Sequence, residues 1–406
     1  MDSIIRHLPK GWEEKKIKQC FKFKNGKGFS GELREKADSD YCYPVYGGNG
    51  IIGYCNIPLL DKPTIIVGRV GEYCGNVFKT QEKSWVTDNA MLVSEVLLED
   101  FDINFWTVML NSLHFNHFSD STGQPKITQG GIGAITVVYP KSATEQTATA
   151  NILSKVDEAI VSVQNSIAVA ERLKKSLMQN LLTGKMKPDG TFRTPEEFYI
   201  DEKFGKVPVG WEVKKLKDIA SIQRGKFGHR PRNDERFYNG DFPFVQTSDV
   251  VESVLYLKSA SQSLNELGAS VSKRFPQNTI IMTIAANIGY VALTRYEVYF
   301  PDSLIGINAN ENIVKPTYLL FQLMGFKNVL DALATESAQK NINYSNLKSL
   351  PLLFPTNIEE QLQIAERIIK TFKVIEDNKS KIDILERLKK SLMQNLLTGK
   401  VRVIYT

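Results

Sequence analysis

Cysteine is scarce in this chain and long apolar runs are absent, and each absence excludes a class of protein. The 406 residues include four cysteines, none of them in a CxxC pair, which predicts reduced thiols rather than a disulfide framework or a zinc ribbon. No apolar stretch has the length of a membrane span, and the first residues lack the apolar core of a secretory signal. We therefore expect a cytoplasmic protein.

Motifs of reaction machinery are also missing. The sequence has no GxxxxGKS/T phosphate loop, no HExxH metal motif, no GxSxG nucleophile elbow and no Pro-Pro pair such as DNA amino-methyltransferases carry. The one GxGxxG, at Gly26–Gly31, is not followed by a sustained apolar helix, so we interpret it as a basic turn. His114 and His117 have no cysteine or acidic cluster beside them. Asp88 and Asp302 lack the ExK pattern of nucleases and are interpreted as turn or strand-end residues. The sequence thus predicts a chain without catalytic residues, metal or cofactor of its own.

The chain instead contains two copies of one pattern. The segment ERLKKSLMQNLLTGK occurs at Glu171–Lys185 and again, without a change, at Glu386–Lys400, 215 residues later. The motif Pro-x-Gly-Trp-Glu opens the copies at Pro9–Glu13 and Pro208–Glu212, a separation of 199. The separation has become 215 by Thr279, so the second copy carries 16 extra residues near its beginning.

Each copy consists of a mixed module followed by a long helical stretch. In the modules, short β-branched runs alternate with turn signals, which predicts α/β structure. Residues 144–182 and 357–397 contain no proline and no interior glycine, and Gly184 and Gly399 stand where a helix would end. A helix of about 36 residues spans roughly 54 Å, which suits a strut.

Apolar residues recur at a spacing of three and four along both helical stretches, which predicts a coiled-coil seam. The alternative is a stripe that packs only on its own module. A polar seam position, Asn378, is expected to fix the register. The predicted residues for the helix spacer and for partner docking are Ile160, Ile167, Leu173, Leu177 and Leu181 in the first helix and Ile375, Asn378, Ile382, Leu388, Leu392 and Leu396 in the second.

The expected fold class is α+β, with two globular α/β domains separated and followed by two long α-helices in an internal repeat. We expect the first domain at residues 1–141, the central helix at 142–185 and a linker at 186–206. The second domain is expected at 207–356 and the C-terminal helix at 357–406.

Positive charge is concentrated near the start of each copy. The net charge of +6 arises from 51 basic and 45 acidic residues, but residues 1–27 alone carry a net +5, and so do residues 210–232. Both stretches include the repeated Gly-Trp-Glu and have aromatic residues in or beside them, a composition suited to phosphate oxygens of nucleic acid. The predicted basic contacts are Lys22, Lys24, Lys27, Arg224, Lys226, Arg230 and Arg232.

Polar side chains that can address base edges flank the turn signals. Arginine suits guanine, and asparagine or glutamine suits adenine. For any one of these residues a solvated surface position is the alternative, and the recurrence of the basic stretch favours DNA. The candidates are Tyr46, Asn49, Arg69, Gln124 and Lys126 in the first copy and Gln246, Thr247, Ser248, Asn287, Gln339, Lys340 and Asn341 in the second.

The arrangement resembles the specificity subunit of type I restriction-modification enzymes over essentially the whole chain. The most specific carriers are the Pro-x-Gly-Trp-Glu openings and the doubled helix end LKKSLMQNLLTGK. The Glu145-Gln146 and Glu360-Gln361 pairs that start the helices, and the linker Thr194–Phe198 leading into Gly205–Pro208, are also similar to the family.

The resemblance implies that each module is a target-recognition domain for one half of a split sequence in double-stranded DNA. It implies long helices packed as an antiparallel coiled coil with pseudo-twofold symmetry, which space the half-sites and dock two modification (methyltransferase) subunits. S-adenosylmethionine is then expected on the modification subunits, and ATP and Mg²⁺ on partner subunits that include a restriction translocase and nuclease. This chain would be the non-catalytic specificity subunit.

Two further expectations follow. A closed arrangement of two modules and two helices predicts that the chain termini lie close together. The segments Tyr43–Gly50 and Phe242–Asp249 differ at the presumed reading edge, which predicts an asymmetric, bipartite target. The competing hypotheses are a DNA-binding scaffold outside restriction and a coiled-coil adaptor between proteins. An adaptor would show no salt-dependent affinity for DNA.

Overall fold

The computed structural model describes residues 8–118, 125–229, 231–285, 287–330 and 344–403, and it divides into two compact units. Unit 1 comprises Met1–Asn165 and Lys379–Thr406, and unit 2 comprises Ser166–Asn378. Each unit therefore contains one module, the first half of the long helix that follows this module and the second half of the other long helix. Among the described residues, no helix combines the length and the apolar character needed to cross a membrane.

Unit 1 is built from a four-stranded sheet, a three-stranded sheet and a two-stranded ribbon. The four-stranded sheet has the order β2-β8-β5-β6, the three-stranded sheet has the order β4-β3-β7, and β1 pairs antiparallel with β9. The continuous apolar run of β5 is buried, as is typical of an interior strand. The elements are β1 (Trp12–Lys16), α1 (Ile17–Cys20), β2 (Phe21–Asn25), β3 (Tyr43–Gly47), β4 (Gly50–Cys55), β5 (Ile65–Gly68), β6 (Val77–Lys79), β7 (Trp85–Val86), β8 (Ala90–Val96), α2 (Ile103–Ser112), α3 (Gln129–Gly133), β9 (Thr136–Pro140) and the start of α4 (Ala143–Leu181).

Unit 2 repeats this plan with insertions. Its four-stranded sheet has the order β13-β20-β17-β18, and a second sheet has the order β15-β14-β19-β16. The β10-β11 hairpin lies at the end of the predicted linker. The elements are β10 (Phe198–Asp201), β11 (Gly205–Pro208), β12 (Trp211–Lys215), α5 (Leu216–Ile219), β13 (Ala220–Arg224), β14 (Tyr238–Phe244), α6 (Thr247–Val251), β15 (Gln262–Leu264), α7 (Glu266–Ser270), β16 (Arg274–Phe275), β17 (Ile280–Thr283), β18 (Val291–Leu293), β19 (Val298–Tyr299), β20 (Leu304–Ala309), α8 (Pro316–Gly325), α9 (Tyr344–Lys348), β21 (Pro351–Pro355) and the start of α10 (Ile358–Leu396).

The internal repeat extends to strand register. In unit 1, Trp12 of β1 lies opposite Pro140 of β9, and in unit 2, Trp211 of β12 lies opposite Pro355 of β21. Trp12 and Trp211 belong to the two Pro-x-Gly-Trp-Glu openings that the repeat aligns. The two-domain architecture with long helices is therefore confirmed.

In unit 1 the opening tryptophan is held at the start of α4. The Trp12 Nε1–H donates to Glu145 Oε1 at 3.2 Å. Arg402 of the C-terminal tail donates from Nε and Nη2 to the two oxygens of the same carboxylate, at 2.9 and 2.7 Å. Glu145 is only 2% exposed, so Arg402 supplies the counter-charge for a buried carboxylate. We call this arrangement the unit 1 clasp.

Unit 2 contains an equivalent clasp with a different chain origin. The Trp211 Nε1–H donates to Glu360 Oε1 at 3.2 Å, and Arg193 forms an ion pair with Glu360. Arg193 belongs to the predicted linker at 186–206, whereas the arginine of the unit 1 clasp belongs to the C-terminal tail. The arginine of the clasp therefore comes from the segment between α4 and β10 in unit 2, and from the segment that follows α10 in unit 1.

Both described ends of the chain meet in unit 1. Arg402 Nη1 donates to the carbonyl oxygen of Lys10 at 2.9 Å. The predicted proximity of the termini is confirmed for these residues, while residues 1–7 and 404–406 lie outside the described ranges.

The long helices pack antiparallel within each unit. In unit 1, Lys389 of α10 pairs with Asp157 of α4, and Arg402 reaches back to the start of α4. In unit 2, the Lys174 ammonium of α4 lies 4.8 Å from the ring centroid of Phe372 of α10. Both helices have 39 residues, close to the predicted stretches.

The predicted spacer residues occupy three environments. Leu173 and Leu388 are 49% and 45% exposed, so their prediction as seam residues is wrong. The next residue, Lys174 or Lys389, takes the inward position in each helix and makes the contact described above. The buried residues are Leu177, Leu181, Ile375 and Leu396, and the partly exposed ones are Ile160, Ile167, Asn378, Ile382 and Leu392.

Candidate nucleic-acid interface

In unit 1 the backbone of Gly26 and Lys27 passes against the turn between β7 and β8, an arrangement that we call the crossing. The backbone N–H groups of Gly26 and Lys27 donate to the carbonyl oxygens of Ala90 and Val86, both at 2.9 Å. A side chain at position 26 would collide with the carbonyl oxygens of Val86 and Thr87, so only glycine allows this approach. The crossing leaves Lys27 exposed directly after β2.

Unit 2 contains the same crossing between β19 and β20. The N–H groups of Gly225 and Lys226 donate to Leu304 and Phe300 at 2.9 and 3.0 Å. A side chain at position 225 would meet the carbonyl oxygens of Phe300 and Pro301. In the part of the chain that the structure describes, neither crossing lysine has a carboxylate within ion-pair distance. Each unit therefore presents, among its described residues, an ammonium group without an ion pair at the same structural position, and such a group is free to attract a phosphate.

The other predicted basic residues of unit 1 differ in their surroundings. Lys22 is exposed, but its ammonium forms an ion pair with Glu95 at 2.7 Å, and this pairing weakens its attraction for a phosphate group. Lys24 and Lys126 are exposed and have no ion-pair partner within the described ranges. Arg69 is half-buried, and its Nη1 donates to the carbonyl oxygen of Asp88 at 3.4 Å.

Two of the predicted arginines of unit 2, Arg224 and Arg232, meet at one turn. Arg224 Nε donates to the carbonyl oxygen of Asp302 at 2.7 Å, and Arg232 forms an ion pair with the Asp302 carboxylate. Asp302 and Ser303 occupy a turn, and so does Asp88 in unit 1, as the sequence predicts. Asp302 thus binds two guanidinium groups, one through its backbone carbonyl oxygen and one through its carboxylate.

In unit 1, two of the predicted base-reading residues, Tyr46 and Asn49, lie on the β3–β4 hairpin. Asn49 is exposed in the β3–β4 turn and accepts a hydrogen bond from Asn76 Nδ2 at 3.1 Å. Tyr46 is 5% exposed, and its hydroxyl accepts from the Gln81 N–H at 3.1 Å. Burial raises the pKa of the Tyr46 phenol. The structure therefore places Tyr46 in the core of unit 1 and not on the reading surface.

Strand β3 of this hairpin corresponds to strand β14 in unit 2. Val45 of β3 pairs with Trp85 in parallel register, and Phe244 of β14 pairs with Tyr299. Val45 and Phe244 are thus equivalent at a separation of 199 residues, and Trp85 and Tyr299 at a separation of 214. At the separation of 199, Gln246 corresponds to Gly47. Beyond this point the two units differ, because unit 1 continues into strand β4 and unit 2 begins helix α6.

The start of α6 is fixed by hydrogen bonds to the following segment. The Gln246 N–H donates to Asp249 Oδ2 at 2.8 Å, and the same oxygen accepts from the Ser261 N–H and hydroxyl at 3.0 Å each. Gln246 Nε2 donates to Gln262 Oε1 at 2.9 Å. Sequence reasoning missed Gln262, because its position beside Gln246 follows from the β14–β15 register.

The two glutamines border a cleft of about 620 Å³ in unit 2. Its aromatic residues include Phe227, Tyr238 and Phe244, with the Phe227 ring centroid 5.8 Å from that of Tyr238 and 5.3 Å from that of Phe244. Arg232 lies on its lining as well. The cleft thus combines apolar ring faces, side-chain amides and a guanidinium group.

The remaining candidates are distributed as follows. Thr247 is partly exposed and Ser248 exposed in the first turn of α6. Asn287 is exposed, and its carbonyl oxygen accepts from the Thr283 hydroxyl. The candidates outside the described residues are Gln124, Arg230, Gln339, Lys340 and Asn341.

No group of three or more histidine, cysteine, aspartate or glutamate side chains converges within the described ranges. The rings of His114 and His117 lie 6.2 Å apart, edge to face. The four cysteines are free thiols, with Cys42 exposed and Cys20, Cys55 and Cys74 buried.

Comparison with known proteins connects both copies to one family. A family model described as "Type I restriction modification DNA specificity domain" matches residues 9–172 and 208–387. The two matched stretches include both modules, both crossings and most of both long helices.

Individual relatives match to different extents. The chain is 29% identical to the type I restriction enzyme EcoprrI specificity subunit of Escherichia coli over 169 residues, which is 41% of this chain and 40% of that protein. It is 24% identical to the MjaVIII specificity subunit of Methanocaldococcus jannaschii over 429 residues, 98% of this chain and 94% of that protein. The first match therefore spans less than half of its relative, and the second spans nearly all of it.

Solved structures share the fold. The S subunit of a type I restriction-modification system from M. genitalium has a TM-score of 0.64 at 15% identity and covers 100% of this chain and 99% of its own. A chain from a structural study of complex assembly and conformational transition of the type I R-M system has a TM-score of 0.56 at 13% identity and covers 97% and 99%. At these identities the likeness is one of fold.

Proposed function

Because the chain belongs to the family of type I restriction-modification DNA specificity proteins, we propose that it selects the DNA target of a restriction-modification complex. Each unit contacts one half of a bipartite sequence in double-stranded DNA. The observation that carries this proposal is the repeated crossing, which presents Lys27 in unit 1 and Lys226 in unit 2 at equivalent positions with no neutralising carboxylate in the described ranges. Two equivalent ammonium groups suit two equivalent phosphate contacts.

The proposed target is asymmetric. The aligned strands β3 and β14 lead into a hairpin in unit 1 and into helix α6 in unit 2. Both a two-stranded ribbon and a helix fit the major groove, but they present different side chains to the bases. Unit 1 offers Asn49 at the hairpin turn, and unit 2 offers Gln246 and Gln262. Different side chains at the aligned position favour different half-sites.

The helices are the proposed docking surface for two modification subunits. Each helix keeps an exposed apolar pair one turn apart, Val169 and Leu173 in α4, and Ile384 and Leu388 in α10. The two pairs are equivalent in the repeat, so they offer the same contact twice. Exposed apolar residues that recur at equivalent positions of both helices suit the same contact with two copies of a partner protein.

The chemistry of the complex is then supplied by other chains. We propose that S-adenosylmethionine binds the modification subunits, that ATP and Mg²⁺ act on partner subunits, and that restriction subunits cleave the DNA. The chain itself acts in the cytoplasm, as the non-catalytic subunit of a multisubunit methyltransferase and endonuclease. Its long helices set the spacing between half-sites.

The test is DNA binding and methylation with and without modification subunits. The purified chain alone is expected to bind DNA weakly, with an affinity that falls steeply as salt rises. Specific methylation is expected only after the modification subunits are added. A chain that acts as a protein adaptor would show no salt-dependent DNA affinity, and methylation by the chain alone would contradict its non-catalytic role.

A further inference from the structure

The β3–β4 hairpin of unit 1 exposes two consecutive isoleucines beside its turn. The turn contains only Gly48 and Asn49. The first two residues of β4 after the turn glycine, Ile51 and Ile52, are 43% and 52% exposed. Successive side chains of a regular strand point to opposite faces of the sheet, so two exposed neighbours need a local cause.

The cause is a β-bulge in β4. Tyr46 of β3 pairs with Ile51 and Val45 pairs with Gly53, so Ile52 is an extra residue between the two pairs. A bulge interrupts the alternation of the strand and re-aims a side chain. The register of the hairpin therefore accounts for the exposure of both isoleucines.

The hairpin also makes room for the second isoleucine. A Cβ atom at Gly47 would lie 2.9 Å from Ile52 Cγ2, so glycine at this position of β3 leaves space for the Ile52 side chain. β4 is the edge strand of its sheet, where exposed apolar side chains favour aggregation unless they bind something. The arrangement is thus costly for a purely structural hairpin.

The turn of this hairpin lies against two other segments of unit 1. A Cβ atom at Gly48 would lie 3.3 Å from the carbonyl oxygen of Asn89 and 3.4 Å from that of Val70. The Arg69 N–H donates to the Asn89 carbonyl oxygen, and the Ile127 N–H donates to the Arg69 carbonyl oxygen, both at 2.9 Å. The hairpin turn is therefore connected to segments 69–70, 87–90 and 125–127.

These segments and the crossing at residues 26–27 are mainly basic. Lys27 and Lys126 are exposed and Arg69 is half-buried, and the one acidic residue among the four segments is Asp88. Three cations and one carboxylate favour a polyanion over an apolar protein surface as the neighbour of the hairpin.

We infer that Ile51 and Ile52 contact thymine methyl groups in the half-site of unit 1, an inference that rests on the proposed function. A two-stranded ribbon fits the major groove, and there thymine presents the C5-methyl group, which binds apolar side chains. The basic segments beside the turn can contact the flanking phosphates and hold the hairpin in register. The two isoleucines are thus specificity-determining residues of unit 1.

The experiment compares DNA duplexes that differ only in this methyl group. Mapping of methylated bases in a host that carries the full chain with its modification subunits first gives the split motif. Each thymine of the motif, on either strand, is then replaced singly by deoxyuridine, and fluorescence anisotropy gives the affinity of the assembled complex. For the wild-type chain, uracil at one or two positions within one half is expected to weaken binding about fourfold for each methyl group, as for one buried CH₂ group.

The variants Ile51→Ser and Ile52→Ser remove the apolar contact at exposed positions. Each is expected to bind the thymine and uracil duplexes equally at the position that its side chain contacts, whereas Ile51→Val and Ile52→Val should keep most of the preference. The matched control is Ile57→Ser, since Ile57 is 61% exposed and follows the end of β4 that is remote from the turn. It should keep the full preference. A ratio of two affinities on one protein does not change with the folded fraction of a variant.

Two results would overturn the inference and leave the proposed function standing. One is a split motif in which the serine variants discriminate thymine from uracil as the wild-type chain does, or in which the wild-type chain does not discriminate at all. The other is failure of the serine variants to assemble with the modification subunits, which would make the hairpin a protein contact. If the wild-type chain gives no split motif, the proposed function itself fails.

Discussion

Lys27 in unit 1 and Lys226 in unit 2 should contribute equally to the affinity of the protein for DNA. Each follows a glycine that passes a strand turn too closely for any side chain, so the ammonium position is set by backbone hydrogen bonds. Lys22 is also exposed, but its charge is neutralised by Glu95. The difference between a paired and an unpaired lysine is measurable because counterion release depends on net charge at the DNA surface.

Replacing either crossing lysine by glutamine should weaken DNA binding similarly for all sequences and reduce the slope of log affinity against log salt by about 1. Lys22→Gln is the matched control and should change the slope less. The measurement is fluorescence anisotropy of a labelled duplex over a salt series with the assembled complex. Equal slopes for Lys27→Gln, Lys226→Gln and the wild-type chain would remove both lysines from the interface.

Gly26 provides a second residue-scale test. Gly26→Ala forces a methyl group against the carbonyl oxygens of Val86 and Thr87, so the crossing must shift. We expect a loss of about 1–3 kcal/mol in the unfolding free energy, together with weaker DNA binding. Gly28→Ala is the control, because a methyl group at Gly28 has no neighbour within 4 Å. Equal denaturation midpoints for the two variants would show that the close approach is not required.

At the scale of elements, the clasp at the start of each long helix determines where the helix leaves its module. Glu145 is buried and charged, and its partners are the indole of Trp12 and the guanidinium of Arg402. A buried carboxylate that loses its cation retains its desolvation cost without compensation. The tail that carries Arg402 is therefore a structural part of unit 1.

Arg402→Gln should lower the stability of unit 1 by about 2 kcal/mol and leave unit 2 unchanged. Lys400→Gln, which removes a positive charge from the same tail at an exposed position, should have little effect. Adding Glu145→Gln to Arg402→Gln should restore part of the loss, since both charges are then absent. Hydrogen exchange resolved by peptide checks this, and faster exchange in both units alike would argue against a local clasp.

The stretches without proline or interior glycine, residues 144–182 and 357–397, predicted each end of both long helices to within one residue, whereas the C-terminal helix expected at 357–406 ends at Leu396. The sequence predicted less well which side of each helix faces inward, since Lys174 and Lys389 occupy the inward positions that the spacing gave to Leu173 and Leu388. The aligned strands β3 and β14 were also identified. Their divergence into a hairpin and a helix depends on contacts such as Asp249 with Ser261, which are distant in sequence and leave no periodic signal.

At the scale of the whole molecule, the folding units are not the domains that the sequence pattern suggests. The core of unit 2 includes Leu177 and Leu181 from α4 and Ile364 and Phe372 from α10, and all four lie within the continuous segment Ser166–Asn378. Removing them exposes apolar surface worth about 1.5–3 kcal/mol for each fully buried side chain.

A fragment of residues 166–378 should therefore fold alone with a cooperative transition. A fragment of residues 207–356, the predicted second domain, should be much less stable because it lacks both helix halves. Thermal unfolding monitored by circular dichroism compares the two fragments. Equal midpoints would mean that the helix halves add nothing to the core of unit 2.

The central claim is that the two units read two different half-sites of one DNA target. The most direct test is sequencing of methylated bases in a host that carries this chain together with its modification subunits. The account predicts methylation within one split motif whose two halves differ in sequence. Methylation of a palindrome, or of a single continuous sequence, would contradict it.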